Sequence, residues 1–158
     1  MNSNLKIRNA RKKDAGSIIA LVAQFAAYEN NKSLFRKRDY CIDGFGRNKF
    51  FETLVVFYES KIIGYASYHK GYDMQSASRG IYLVDLFVVE PYREEAVGTA
   101  LLKVIGQKCM KIKGEWISWH VARTNTKAIR YYKKIGAKRT NSFQYLAEPD
   151  SGTKIFPK

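Results

Sequence analysis

The stretch "GIYLVDLFVVE", Gly80 to Glu90, constrains the fold more than any other part of the chain. It is the most β-prone run, and apart from Asp85 it is apolar on both faces. A strand with no polar face belongs in the middle of a sheet that is covered on both sides. The segment after it, "EPYREEAVGTALLK", reads as a loop entering a helix, with Leu101, Leu102, Ile105 and Cys109 on one stripe of Gly98 to Lys113.

The rest of the pattern supplies the cover. "LKIRNA" alternates as a short strand. The stretch "KKDAGSIIALVAQFAAYEN" follows as an amphipathic helix, with Asp14 as its expected cap. Ser33 to Lys49 is basic and irregular, a second helix closed by "DGFG". Leu54 to Tyr58 and Ile62 to His69 form a hairpin about Glu59 to Lys61, and a polar loop spans Gly71 to Arg79. "WISWHV" is a strand, Thr126 to Ile135 a helix ended by Gly136, and Ser142 to Leu146 a last strand. This order predicts an α/β fold, a sheet sandwiched by helices. The 158 residues fit one domain spanning 1–158.

Composition removes several classes of function. The apolar fraction of 46% and the aromatic fraction of 14% suit a folded protein. The longest apolar run, around Ile18 to Tyr28, is short of the roughly 20 residues that span a bilayer. No signal peptide is visible, so the expectation is a soluble, cytoplasmic protein without a membrane partner. Cys41 and Cys109 are too few for a disulfide framework, and His69 and His120 stand too far apart for a metal pair; no metal is expected. Lys and Arg number 28 against 14 acidic residues, a net charge of +14. Such a surface attracts polyanions, but the cations are dispersed and carry no nucleic-acid motif, so nucleic acid is not expected as a partner.

One stretch poses a problem of charge. Amides at a helix N-terminus attract phosphate, yet Glu94 and Glu95 sit in the turn that would hold it. The pair suits a helix dipole equally well.

"DLFVVEPYREEAVGTALLK" resembles the acetyl-CoA-binding motif of the GNAT superfamily of N-acetyltransferases, in which a strand leads through Arg-x-x-Gly-x-Gly/Ala into a helix. "NTKAIRYYKKIGA" resembles the helix that follows it in that superfamily. "YEN", "DGFG", "IIGYASYHKGYD" and "IYLVDLFV" are similar to the diamine branch, which includes the spermidine/spermine and thialysine acetyltransferases.

The resemblance implies a mixed, mostly antiparallel sheet flanked by helices on both faces, acetyl-CoA as cosubstrate, a small-molecule amine as acceptor and a homodimer. It implies that Leu86, Phe87 and Val88 hold the acetyl and pantetheine groups. Arg93, Glu94, Glu95, Ala96, Val97, Gly98, Thr99 and Asn125 would hold the rest of the cofactor. It further implies Tyr132 as general acid, and Tyr28, Glu29 and Asp73 at the acceptor.

Four positions depart from the family pattern. Ala96 replaces a glycine and would be strained at positive φ. Val84 stands where the branch has a glutamate, leaving Asp85 as the candidate base, a role it would fill through a water or with a pKa raised by burial. The branch's tryptophan is missing near Gln75, and Arg123 replaces a common acid. These departures keep two alternatives open: a different acceptor such as protein lysine or an amino acid, and a nucleic-acid-binding or regulatory module on the same scaffold with turnover lost.

Overall fold

The computed structural model describes residues 5–93, 96–142 and 144–147. These fall into two compact units, Met1–His120 and Val121–Lys158.

The first unit is built on a five-stranded sheet in sequential order: β1 (Leu5–Asn9), β2 (Glu52–Tyr58), β3 (Lys61–Asp73), β4 (Ser78–Val88) and β5 (Gly114–Ser118). The first four strands are antiparallel, and β4 and β5 are parallel. Parallel neighbours need a crossover, which α3 (Val97–Lys111) supplies. Helix α1 (Ala15–Tyr28) and helix α2 (Lys37–Asp43) precede β2.

Two apolar layers cover the sheet. Val97, Leu101, Ile105 and Cys109 of α3 pack on Leu54, Val56, Tyr68, Ile81 and Leu83. On the opposite face Ile18 and Leu21 of α1 and Tyr40 of α2 pack on Val55, Tyr65 and Phe87. Leu101 and Ile105 are fully buried, and each contributes about 2 kcal/mol of transfer free energy. The strand expected at Gly80 to Glu90 is β4; α3 covers one of its faces, while on the other Phe87 is buried under α1 and Tyr82 and Val84 stay exposed, so the expected double cover is partial.

Some boundaries differ from the sequence pattern. β3 and β4 run through most of the stretch expected as a polar loop, because Asp73 pairs with Ser78 and leaves only a tight turn between them. β5 starts two residues before "WISWHV" and stops at Ser118. Asp14 does not cap α1 through its side chain. Its carboxylate instead accepts from Arg8 at 2.7 and 2.9 Å and from the Arg11 amide, and that pairing holds it below the usual carboxylate range.

In the second unit α4 (Thr126–Lys134) is the regular element, with Gly136 at φ 86° just beyond it. No strand forms among the described residues of the segment expected as a last strand, Ser142 and Gln144 to Leu146. A strand needs a ladder partner, and none is recorded for them. No helix of the described residues is long and apolar enough to cross a membrane.

Candidate active site

The site begins with an irregularity in β4. Ser67 pairs with Asp85 but Tyr68 pairs with Leu83, so Val84 is an extra residue without a partner on β3, a β-bulge. Side chains alternate along a strand. Ile81 and Leu83 face α3, and an unbroken strand would turn Asp85 the same way. The inserted residue resets the alternation, placing Asp85 and Phe87 on the α1 face. Val84 is left 57% exposed.

Asp85 arrives there with partners. Ser67 donates to its carboxylate at 2.9 Å and Tyr65 at 3.4 Å. Burial pushes the Asp85 pKa up, against the lowering effect of those two bonds. The Tyr65 hydroxyl is raised as well, first by burial, then by Asp85, with Glu29 contributing. Asp85 and Glu29 thus act on one hydroxyl.

The bulge also marks where β4 loses β5. Their parallel ladder ends at Tyr82–Ser118, while β4 continues to Val88. Val89 donates to Ile63 on β3 at 2.9 Å. Alternate residues of an antiparallel pair turn both backbone groups to the partner, so Leu86 and Val88 turn theirs to the β5 side and Phe87 turns its own to β3.

Arg93 closes this edge. Its Nε–H donates to the Val88 carbonyl at 2.8 Å. Its guanidinium carbon lies 4.5 Å from the Tyr28 ring centroid and 5.4 Å from that of Phe87. Tyr28, expected at the acceptor, therefore touches Arg93, expected at the cofactor, a pairing across 65 positions that no local pattern signals.

Ala96, the residue in the glycine's place, adopts φ 59° and ψ 12° as the N-cap of α3, the left-handed region expected to strain it. A β-carbon there costs roughly 1–2 kcal/mol. Alanine also offers no side-chain acceptor to the helix. Val97 and Gly98 stand at the start of α3, where helix amides have no acceptor within the helix, and Thr99 follows in the first turn. Such amides suit phosphate, and the open β4 edge leads toward them in sequence. The residues present fit acetyl-CoA. Glu94 and Glu95 lie outside the described residues.

Asp73 is placed elsewhere. It accepts from the Gln75 amide at 2.9 Å and the Ser76 amide at 3.5 Å, and its bonds to Ser76 and Gln75 lower its pKa. It lies six residues from Ser67, roughly 20 Å along β3, and serves the hairpin turn. Among the described residues no group of three or more His, Cys, Asp or Glu gathers to hold a metal.

In the second unit the Asn125 side chain caps α4, accepting from the Ala128 amide at 3.1 Å. Tyr132 is half-buried on that helix, its ring 5.4 Å from Tyr131. Burial first, and Tyr131 second, push its hydroxyl up to about 12, so it carries its proton at neutral pH.

An opened strand edge followed by a helix N-terminus is an arrangement that suits an extended, phosphate-bearing ligand. The chain belongs to the acetyltransferase (GNAT) family, whose model matches residues 17–137. It is an acetyl-CoA-dependent N-acetyltransferase. It is 28% identical over 145 residues to the thialysine N-epsilon-acetyltransferase of Mus musculus, covering 85% of each chain. It is 30% identical over 76 residues to an L-ornithine N5-acetyltransferase of Arabidopsis thaliana, covering 48% of this chain and 33% of that one. In fold it is similar to an integron cassette protein of V. cholerae, with a TM-score of 0.78 at 19% identity over 93% of both chains.

Proposed function

We propose that the acceptor is a primary amine of a small diamine- or polyamine-like molecule, acetylated by direct attack without an acyl-enzyme. The observation that carries this reading is Asp85, a half-buried carboxylate turned by the bulge onto the α1 face, at the point where β4 parts from β5. Relatives named for thialysine and ornithine support an acceptor of this size.

Bound acetyl-CoA supplies a thioester, an acyl group already activated for transfer. Leu86 and Val88 would donate backbone N–H groups to it, and Arg93 with the amides of Val97 and Gly98 would hold its phosphates. Asp85, raised in pKa, takes the proton of the incoming ammonium. The free amine nitrogen then bonds to the carbonyl carbon, the C–S bond breaks, and the nitrogen's second proton passes to solvent. By the family resemblance Tyr132, protonated at neutral pH, would give its proton to the departing thiolate and regain one from solvent. Glu29 lowers the cost of bringing a cation beside Asp85. The same reading takes the chain as one N-acetyltransferase domain over 1–158, a cytoplasmic homodimer with no nucleic-acid partner; light scattering and a salt-dependent DNA-binding assay test the last two points.

The deciding experiment is thiol release from acetyl-CoA with spermidine, short diamines, thialysine and a lysine peptide. Turnover with a diamine or thialysine is expected. Turnover confined to the peptide would replace the acceptor class, and none with any amine, despite a rise in melting temperature with CoA, would remove the catalytic reading.

A further inference from the structure

On the α1 face, one step along the ladder from Ser67–Asp85, His69 pairs with Tyr82 and then Gly71 with Gly80. The two glycines stand opposite each other for a reason. A β-carbon on Gly80 would meet Trp116 Cδ2 at 2.0 Å, and one on Gly71 would meet Trp116 Cη2 at 2.5 Å. Trp116 is paired with Gly80 across the β4–β5 ladder, so its indole lies on the sheet in the space the glycines vacate.

The seat is fixed at both ends. The indole N–H donates to the buried Ser78 hydroxyl at 3.1 Å. Tyr82 meets the indole edge-on, with centroids 4.9 Å apart, and His69 lies 5.2 Å beyond Tyr82. A seat of this kind in an apolar core would be closed over. Here Tyr82 remains 41% exposed and His69 is exposed, so the rings form a shelf open to solvent on the face that carries Asp85.

We infer that the Tyr82–Trp116 shelf is the part of the acceptor site that receives the distal ammonium of the amine substrate. The inference rests on the acetyl-transfer reading above and names which end of the acceptor goes where. Ring faces attract a cation through their quadrupole, and Ser67 and His69 are two residues apart, about 7 Å of strand. A short alkyl spacer therefore carries a second ammonium from Asp85 to the rings. Lys70 and Arg79 pair with Ile81 and Tyr72 and lie on the α3 side, away from the shelf. Tyr82 and Trp116 are specificity-determining residues, and they take no part in the chemistry.

The test compares butane-1,4-diamine with butylamine, which share the reacting end and differ in the distal ammonium. The wild-type protein should prefer the diamine in kcat/KM. Tyr82→Leu should lower that preference by about fivefold, leave the KM for acetyl-CoA unchanged, and be rescued by Tyr82→Phe. Equal loss for both amines, or no rescue by phenylalanine, would overturn the shelf while the transfer reading stands. A second readout needs no turnover: the diamine should change tryptophan fluorescence saturably, and Trp116→Phe should abolish the change. Fluorescence binding without turnover would keep the shelf and remove the transfer reading. No saturable change in the wild type would remove the shelf.

Discussion

The two halves of β4 are built differently. From Ser78 to Tyr82 the strand is paired on both edges, with Trp116 seated over Gly80. From Leu86 to Val88 its ladder is with β3, and Arg93 takes the Val88 carbonyl. One inserted residue, Val84, separates them. The closed half gains order from backbone pairing and a fixed indole. The open half gives up ladder bonds on its β5 side, and the N–H groups of Leu86 and Val88 turn away from β3. A single strand thus combines a rigid base with a working edge, and the bulge lets their side chains follow different alternations.

The strongest way to break this comparison is to insert one residue into β3 between Ser67 and Tyr68, which gives Val84 a partner. A regular ladder would then turn one half of the hairpin to the wrong face, and the loss of stability should be on the order of 5 kcal/mol. Urea unfolding reads it, and a normally stable, active insertion would mean the bulge does not set the two faces.

Next in size is Gly80→Val, which attacks only the closed half. The added side chain displaces the indole and should cost about 3 kcal/mol. A stability equal to wild type would show the seat to be loose.

Asp85→Asn attacks only the open half. Turnover should fall about 100-fold with the fold intact. Its stability profile has a definite sign. Because burial raises the Asp85 pKa, the folded state favours the protonated carboxyl. That contribution is present at low pH and is lost as pH rises through the folded-state value. The asparagine variant should therefore gain on wild type as pH rises through that range, and parallel profiles would show that Asp85 is not strained by its setting.

The smallest effect is expected at Ala96→Gly, in the loop leaving the open half. Relief of the left-handed alanine should add about 1 kcal/mol, read as a higher melting temperature. A lower one would mean the alanine is not strained.

Much of this was legible in the sequence. The central strand and α3 declared themselves by apolar pattern, and Ala96 by the glycine it replaces. The bulge did not, because an extra residue in an apolar run changes neither composition nor periodicity enough to be seen. Asp85 was visible as a polar residue in the wrong place, but its face depended on that insertion. Tyr28 was placed at the acceptor by resemblance alone, and its ring contact with Arg93 lies too far along the chain for a local pattern to show. The indole seat was likewise hidden: Gly71 and Gly80 fell in or beside what looked like a loop, and only strand register sets them opposite each other. The last expected strand shows the converse: its described residues, Ser142 and Gln144 to Leu146, form none.

The Tyr28–Arg93 stack has a consequence of its own. A free arginine side chain loses about 2 kcal/mol of rotamer entropy when a ligand immobilises it. Arg93 has already given up that freedom on folding, pinned by the Val88 carbonyl and two ring faces. Its Nε–H is occupied, and the four remaining N–H groups of the guanidinium are presented in one plane. An incoming phosphate would meet a cation that no longer has to be organised.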